Sequence, residues 1–246
     1  MAGAASAAVE KPAKKPSRLK PLPQVLLIAA ASAFLLYLAY PRLHASLLYL
    51  PVDTAINRYY DTLEIPSGQL EGLQARAQEA IGIYPNHRYW DGLSQLYFLQ
   101  GSDTSGPLFG RRKAFENTIE AAESSLALAP GQPRTWLRIA QARSWLRYPP
   151  EEVIDALKMA IYTGRVEPSL LMTRLRLGLA YLPRMDAETT AMLRDQLLLA
   201  WRMQPREVTR AVKQRSLRWV SIEQLLSETD AAVLSQIEES AGGAVR

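Results

Sequence analysis

The chain of 246 residues contains no cysteine. That absence excludes disulfides, thiolate-held metal sites of the zinc-finger kind and a thiol nucleophile. Histidine is nearly absent as well. His44 and His87 are the only two, 43 residues apart and without a carboxylate at ligand spacing, so one chain supplies no metal site and no cofactor is expected. After Pro51 no run of residues alternates with a period of two, so strands are not expected. What remains is a length suited to one or two domains with a real core.

The formal charge of +5 points to nucleic acid only if it is spread over a folded surface. It is concentrated instead. Lys11, Lys14, Lys15, Arg18 and Lys20 face one acidic residue, Glu10, within the first 24 residues, and the other 222 carry 24 basic residues against 23 acidic ones. The basic signal therefore belongs to a tail, and no nucleic-acid partner is expected. Residues 1–21, rich in Ala, Lys, Pro and Ser, bury too little apolar area to offset the entropy of ordering and read as a flexible cytoplasmic tail.

Val25 to Tyr40 is sixteen residues without a charge, nineteen counted from Leu22. As a helix nineteen residues rise about 28 Å, close to the roughly 30 Å hydrocarbon core of a bilayer. Tyr37 and Tyr40 fall at its far end, where amphipathic rings favour the interface, and Pro41-Arg42 is expected to stop it. A cleaved signal peptide needs small residues just after the apolar run; Pro41, Arg42, Leu43 and His44 follow instead, and Ala31-Ser32-Ala33 lies inside it. Residues 22–41 thus read as a single transmembrane helix. Its basic flank holds the amino terminus in the cytoplasm and places the rest of the chain on the opposite side. Beyond residue 24 the basic residues are 21 Arg and only Lys113, Lys158 and Lys213. With abundant Ala and Leu, this is typical of a GC-rich bacterial gene, which makes the expected location a bacterial inner membrane with a periplasmic domain.

From Pro51 onward apolar residues recur at three and four, and helices end at Gly or Pro. Four segments end alike: Ala77-x2-Ala80-x4-Pro85, Ala122-x2-Ser125-x4-Pro130, Ala160-x2-Thr163-x4-Pro168 and Leu197-x2-Ala200-x4-Pro205. A second pattern opens the helices that follow three of these prolines: Trp90-x2-Leu93-Ser94-x2-Tyr97, Trp136-x2-Ile139-Ala140-x2-Arg143 and Arg174-x2-Leu177-Gly178-x2-Tyr181. Small residues such as Ser94, Ala140 and Gly178 let a paired helix approach closely, and each hairpin leaves a face that a neighbour must bury. Helix pairs are expected at about 68–82 with 88–100, 112–128 with 133–147, 151–163 with 168–182, and 187–203 with 206–218.

The two patterns resemble the tetratricopeptide repeat, whose first helix carries W-x2-L-G-x2-Y and whose second carries A-x3-F-x2-A-x4-P. The third unit has Arg174 in place of the Trp, the large residue of the second helix is Ala77, Ala122, Ala160 or Leu197, and insertions such as residues 101–110 lengthen the unit. The expected fold is all-α: a helical-hairpin solenoid of the tetratricopeptide kind over 67–218, joined to the single transmembrane helix by a connecting segment at 42–66, in which Leu43 to Tyr60 reads as a joining helix interrupted by Pro51. Trp219 to Ser240 reads as a terminal helical cap within 219–246, and the last six residues as frayed.

Catalytic readings give way to structural ones. Ser94 lies in Gly92-Leu93-Ser94-Gln95, but Leu96 stands where a nucleophile elbow requires Gly and no strand precedes it. Gly106 to Arg112 lacks the Lys-Ser/Thr ending of a phosphate loop. Glu151 and Glu152 follow Pro149-Pro150, where carboxylates favour a helix start. No enzyme and no small-molecule substrate are expected.

What the resemblance implies is a scaffold. The inner surface of such repeats is lined by the first helix of each pair and grips a peptide or partner helix. Carried over, these positions are Arg88, Asp91, Gln95 and Phe98; Arg134, Leu137, Gln141 and Ser144; and Met172, Leu175, Leu179 and Leu182, of which Leu175, Leu179 and Leu182 fit an ordinary core equally well. Arg202, Arg206, Arg210 and Lys213 are spaced to share one helical face, a solvated stripe or a contact for an acidic partner or anionic lipid. The expected function is a membrane-anchored scaffold or assembly factor for protein partners of a bacterial envelope machine such as secretion, cytochrome maturation or exopolysaccharide synthesis. An adaptor on an organelle surface, resembling an import receptor, and an enzyme with an unseen site are its rivals.

Overall fold

The computed structural model describes residues 22–62, 65, 67–226 and 230–242. The expectations of a flexible tail at 1–21 and of fraying at 243–246 lie outside the described residues, whereas Ala241, also expected to fray, ends the last helix and is buried in the core. All regular structure among them is helical: α1 (Leu22–Thr62), α2 (Ser67–Ile83), α3 (His87–Ser102), α4 (Leu108–Leu128), α5 (Pro133–Leu146), α6 (Pro150–Thr163), α7 (Pro168–Tyr181), α8 (Ala187–Met203), α9 (Pro205–Lys213), α10 (Trp219–Leu225) and α11 (Ala231–Ala241), with a 3-10 turn at Leu182–Arg184.

Contacts divide the chain into two compact units, Met1–Leu43 and His44–Arg246. In the first, residues 23–40 of α1 are all exposed. This helix is long and apolar enough to cross a membrane. Pro41 does not stop it, and neither Pro41 nor Pro51 ends the helix before Thr62. Each proline removes one backbone donor, a local loss that the hydrogen bonds on either side outweigh.

The second unit begins earlier than residue 67. Ala45, Tyr49 and Val52 of α1 are buried with Leu70, Leu73, Ala77, Leu93 and Leu96, so the stretch expected as a connector completes the first core cluster. The reason lies at Gly92, where a Cβ would lie 1.8 Å from the Tyr49 hydroxyl. Only glycine leaves room for the ring, which stacks at 4.5 Å on Tyr89 and donates to the Arg88 carbonyl at 3.0 Å.

From α2 to α9 each helix packs on its neighbours in sequence, and α3 also meets α5, α5 meets α7, and α6 meets α8. The expected pairing is displaced by one helix. The tighter partners are α3 with α4, α5 with α6, and α7 with α8. The small residues explain it, because they face the following helix: Ser94 donates to the Thr118 carbonyl at 3.0 Å, Ala140 is buried with Val153 and Leu157, and Gly178 abuts Leu193. The prolines at 130, 168 and 205 then stand between hairpins.

The last expected helix, 206–218, ends at Lys213. Arg215 adopts a left-handed conformation (φ 56°), and Ser216 N–H bonds back to the Ala211 carbonyl at 2.9 Å. This is a helix stop of the kind glycine usually makes, here made by arginine. Beyond it, Ile222, Leu225 and Leu226 with Ile237 and Ala241 bury in the same cluster as Leu193 and Leu197. Arg194 holds Asp230 at 2.6 Å.

Candidate functional site

The faces of α3, α5 and α7 meet the end of α1 at a cavity of about 250 Å³, lined by Tyr59, Tyr60, Gln95, Phe98, Arg134, Leu137, Arg138, Gln141, Ser169, Leu170 and Thr173. Its floor is a polar relay. Arg138, almost wholly buried, donates to the Gln95 side-chain oxygen at 3.0 Å, to the Asp91 carboxylate at 2.7 Å and to the Asp91 carbonyl at 3.0 Å. Its second terminal nitrogen is buried without a partner. Thr135 donates to the same Asp91 oxygen. Burial alone pushes the Asp91 carboxyl upward, but the Arg138 charge, the hydrogen bonds from Thr135 and Arg138, and Arg134 outweigh it and hold the group below its ordinary value.

The rim is aromatic and cationic. The Arg134 guanidinium lies over the Tyr60 ring, 4.6 Å from its centre, and reaches Ser169 Oγ at 3.3 Å. The Tyr60 hydroxyl points to Gln95 at 3.4 Å. Phe98, half-buried, meets Phe115 edge to face at 5.7 Å. The cavity thus offers amide and hydroxyl groups beside apolar walls, with one stacked arginine at its mouth.

Five of the twelve inner positions line this cavity: Gln95, Phe98, Arg134, Leu137 and Gln141. Asp91 lies beneath it, bonded to Arg138. Arg88 is directed elsewhere, into an ion pair with Asp53 at 3.4 Å, and Ser144 accepts from Tyr181 at 3.0 Å. On α7 the core reading holds in place of the inner-surface one. Leu175, Leu179 and Leu182 are core residues that share a cluster with Leu217, Ile222 and Leu225, and Met172 packs against that cluster. That cluster runs on through α8 and α9 into the C-terminal helices, and α7 presents Ser169, Leu170 and Thr173 to the cavity.

Sequence reasoning missed Tyr59, Tyr60 and Arg138. Arg138 was legible, since it stands one turn after Arg134 on the same helical face. The tyrosines were not, because they come from a segment read as a connector.

The basic stripe is split. Arg202 lies in the last turn of α8, while Arg206, Arg210 and Lys213 belong to α9, beyond the break at Gln204. Those three line a second cavity of about 740 Å³ with Trp201 and Ser240, and Arg210 pairs with Glu207 at 2.9 Å.

The residues set aside as catalytic have structural partners. Ser94 is buried and bonded to α4, and Glu151 and Glu152 occupy the first turn of α6. Comparison of the chain with protein-family models, with curated proteins and with solved structures returns no match. The likeness to tetratricopeptide repeats therefore rests on the residues quoted above.

Proposed function

We propose that the chain is a membrane-anchored helical-repeat scaffold, built like tetratricopeptide proteins, that holds a protein partner of a bacterial envelope machine. The observation that carries this reading is the cavity between α1, α3, α5 and α7, where Arg134 stacked on Tyr60 stands beside Gln95, Gln141, Phe98 and Leu137. Such a surface suits an extended peptide: side-chain amides meet its backbone, and the apolar wall takes one of its side chains. The exposed apolar part of α1 serves as the anchor. The basic flank of α1 keeps the amino terminus in the cytoplasm and puts the repeats in the periplasm.

The test is capture from envelope extracts by the full chain, compared with Arg134→Glu. Loss of a specific partner at unchanged helicity supports the reading, and undiminished capture refutes the groove. An alkaline phosphatase fusion after Arg246 that stays inactive, while a fluorescent protein there lights up, refutes the periplasmic placement.

A further inference from the structure

A third cavity, of about 350 Å³, opens between α2, α3 and α4 and shares no residue with the candidate groove. Its floor is apolar, formed by Ile81, Leu93 and Ala121, one from each helix and all buried. Trp90 and Tyr97 line it from α3, seven residues apart and therefore on one helical face. Glu120 of α4 is the single charged residue of the lining. Gln78 of α2 donates to the Tyr97 hydroxyl at 2.8 Å and fixes the position of that ring.

Helix α4 carries three carboxylates, and they differ in what surrounds them. Glu116 is paired with Arg112 and Lys113, and Glu123 with Arg143, whereas Glu120 has no ion pair among the described residues. The field of the Glu120 carboxylate reaches into the cavity. Burial is the main push on the Tyr97 phenol, which stands above its ordinary value; the hydrogen bond from Gln78 opposes that rise and the Glu120 charge adds to it. The rings differ from their counterparts in the same way. Arg134 lies over Tyr60 at 4.6 Å and Arg111 over Trp145 at 4.3 Å, while among the described residues neither a cation nor a second ring lies over Trp90 or Tyr97. The negative faces of two rings and an unpaired carboxylate, set over an apolar floor, together favour a positive charge that has a hydrocarbon stem.

We propose that this cavity binds an alkylammonium group, with the charge against Trp90 and Tyr97 beside the Glu120 carboxylate and the hydrocarbon stem over Leu93 and Ala121. A cavity of this volume is of the size that takes small ligands or a single long side chain. The same chemistry is carried by a lysine side chain of a protein and by a free amine, and affinity for each separates the two sources. The site depends neither on the partner groove nor on the membrane anchor.

The test uses the full chain in an uncharged maltoside detergent, which brings no ammonium group of its own. The chain has five tryptophans, so its spectrum holds five indole N–H resonances, and Trp90→Phe identifies the one that belongs to Trp90. Three probes are titrated at constant ionic strength: choline, a lysine blocked at both ends, and the uncharged isostere of choline in which a tert-butyl group replaces the trimethylammonium. The expected result is a saturable shift of the Trp90 resonance with a cation and little or none with the isostere. Tighter binding of blocked lysine assigns the site to a protein side chain, and tighter binding of choline to a free amine. Glu120 is exposed, so Glu120→Gln and Glu120→Lys leave the fold alone, which circular dichroism checks. The first is expected to weaken cation binding by roughly tenfold and the second to abolish it. No shift with either cation, an equal shift with the isostere, or unchanged affinity in Glu120→Gln overturns the proposal.

Discussion

Arg138 on α5 reaches back to Asp91 on α3, N to O 2.7 Å, and this pair ties one hairpin to the next beneath the candidate groove. The folded protein holds the Asp91 carboxyl below its ordinary value. Its contribution to stability is therefore complete above the unfolded carboxylate range and is lost as pH falls through the folded value, below about pH 4. Asp91→Asn is expected to cost about 1–3 kcal/mol at neutral pH, because Arg138 keeps its burial and loses its counter-charge. Denaturant titrations at pH 7 and at acid pH check this: the gap between variant and parent must close on acidification. A gap independent of pH removes the assigned role.

Arg174 occupies the place where the repeat pattern calls for tryptophan, and it is wholly buried. Its guanidinium donates to the Ala160 and Gly164 carbonyls at the end of α6, at 2.6 and 2.9 Å, and to the Gln196 side chain at 3.0 Å. Burial pushes its pKa down to about 10, so it remains protonated at neutral pH. A cation at the carboxyl end of a helix satisfies carbonyls that have no helical partner and meets the negative end of the dipole. Arg174→Ala is expected to lower unfolding stability by about 3–5 kcal/mol, since it leaves three buried acceptors unpaired. An unchanged denaturation midpoint in urea refutes the staple.

Two glycines give opposite expectations. A Cβ on Gly178 would lie 2.5 Å from Leu193 Cδ1, and Leu193 is fully buried. Gly178→Leu is expected to destabilise by about 1–3 kcal/mol. Gly72, inside α2, has nothing within 4 Å of its virtual Cβ. Gly72→Ala is expected to stabilise by roughly 0.5–1 kcal/mol, because alanine loses less backbone freedom in a helix. Thermal melts of the two variants must move in opposite directions.

The helices were largely legible because their signals are local. Prolines at 133, 168 and 205 stand at the first position of α5, α7 and α9, and the three-and-four apolar spacing marks the lengths between. The phase of the pairing was harder. A small residue says that something approaches closely, but whether it is the preceding or the following helix depends on side chains distant in sequence, such as Leu193 opposite Gly178. The stop at Arg215 was illegible because no glycine announces it. The leucines of α7 were ambiguous for a different reason. An apolar stripe reads the same whether a partner or the protein's own C-terminal helices cover it, and here Leu217 and Ile222 share its cluster. The part played by α1 was hidden by Pro51, which in sequence looks like the end of a helix and in the structure lies within one.

The fit of Tyr49 against Gly92 makes the packing of residues 45–56 on α3 testable. Gly92→Ala places a methyl group where the Tyr49 hydroxyl now lies, and Ile56 is also within 3.2 Å of that point. The ring must leave, breaking its bond to Arg88 and its stacking on Tyr89. Amide exchange across residues 45–56 is expected to accelerate in Gly92→Ala while that of α6 to α8 is unchanged. Acceleration throughout the chain indicates instead that the segment is needed for the whole unit to fold.

Gln141 and Leu175 are both among the inner positions projected from the repeat pattern, and the structure separates them. Gln141 lines the cavity, half-buried, whereas Leu175 is fully buried in the core. Leu175→Ala is expected to cost about 2–5 kcal/mol through lost burial and the void left behind, with partner capture impaired only as far as folding is. Gln141→Glu leaves the fold alone, since the new carboxylate faces the open cavity. There it attracts Arg134 and draws it from Tyr60, so capture weakens at an unchanged melting temperature. Paired measurements of melting temperature and capture distinguish the two roles, and a stability loss in Gln141→Glu as large as that in Leu175→Ala means that the cavity is structural rather than a partner site.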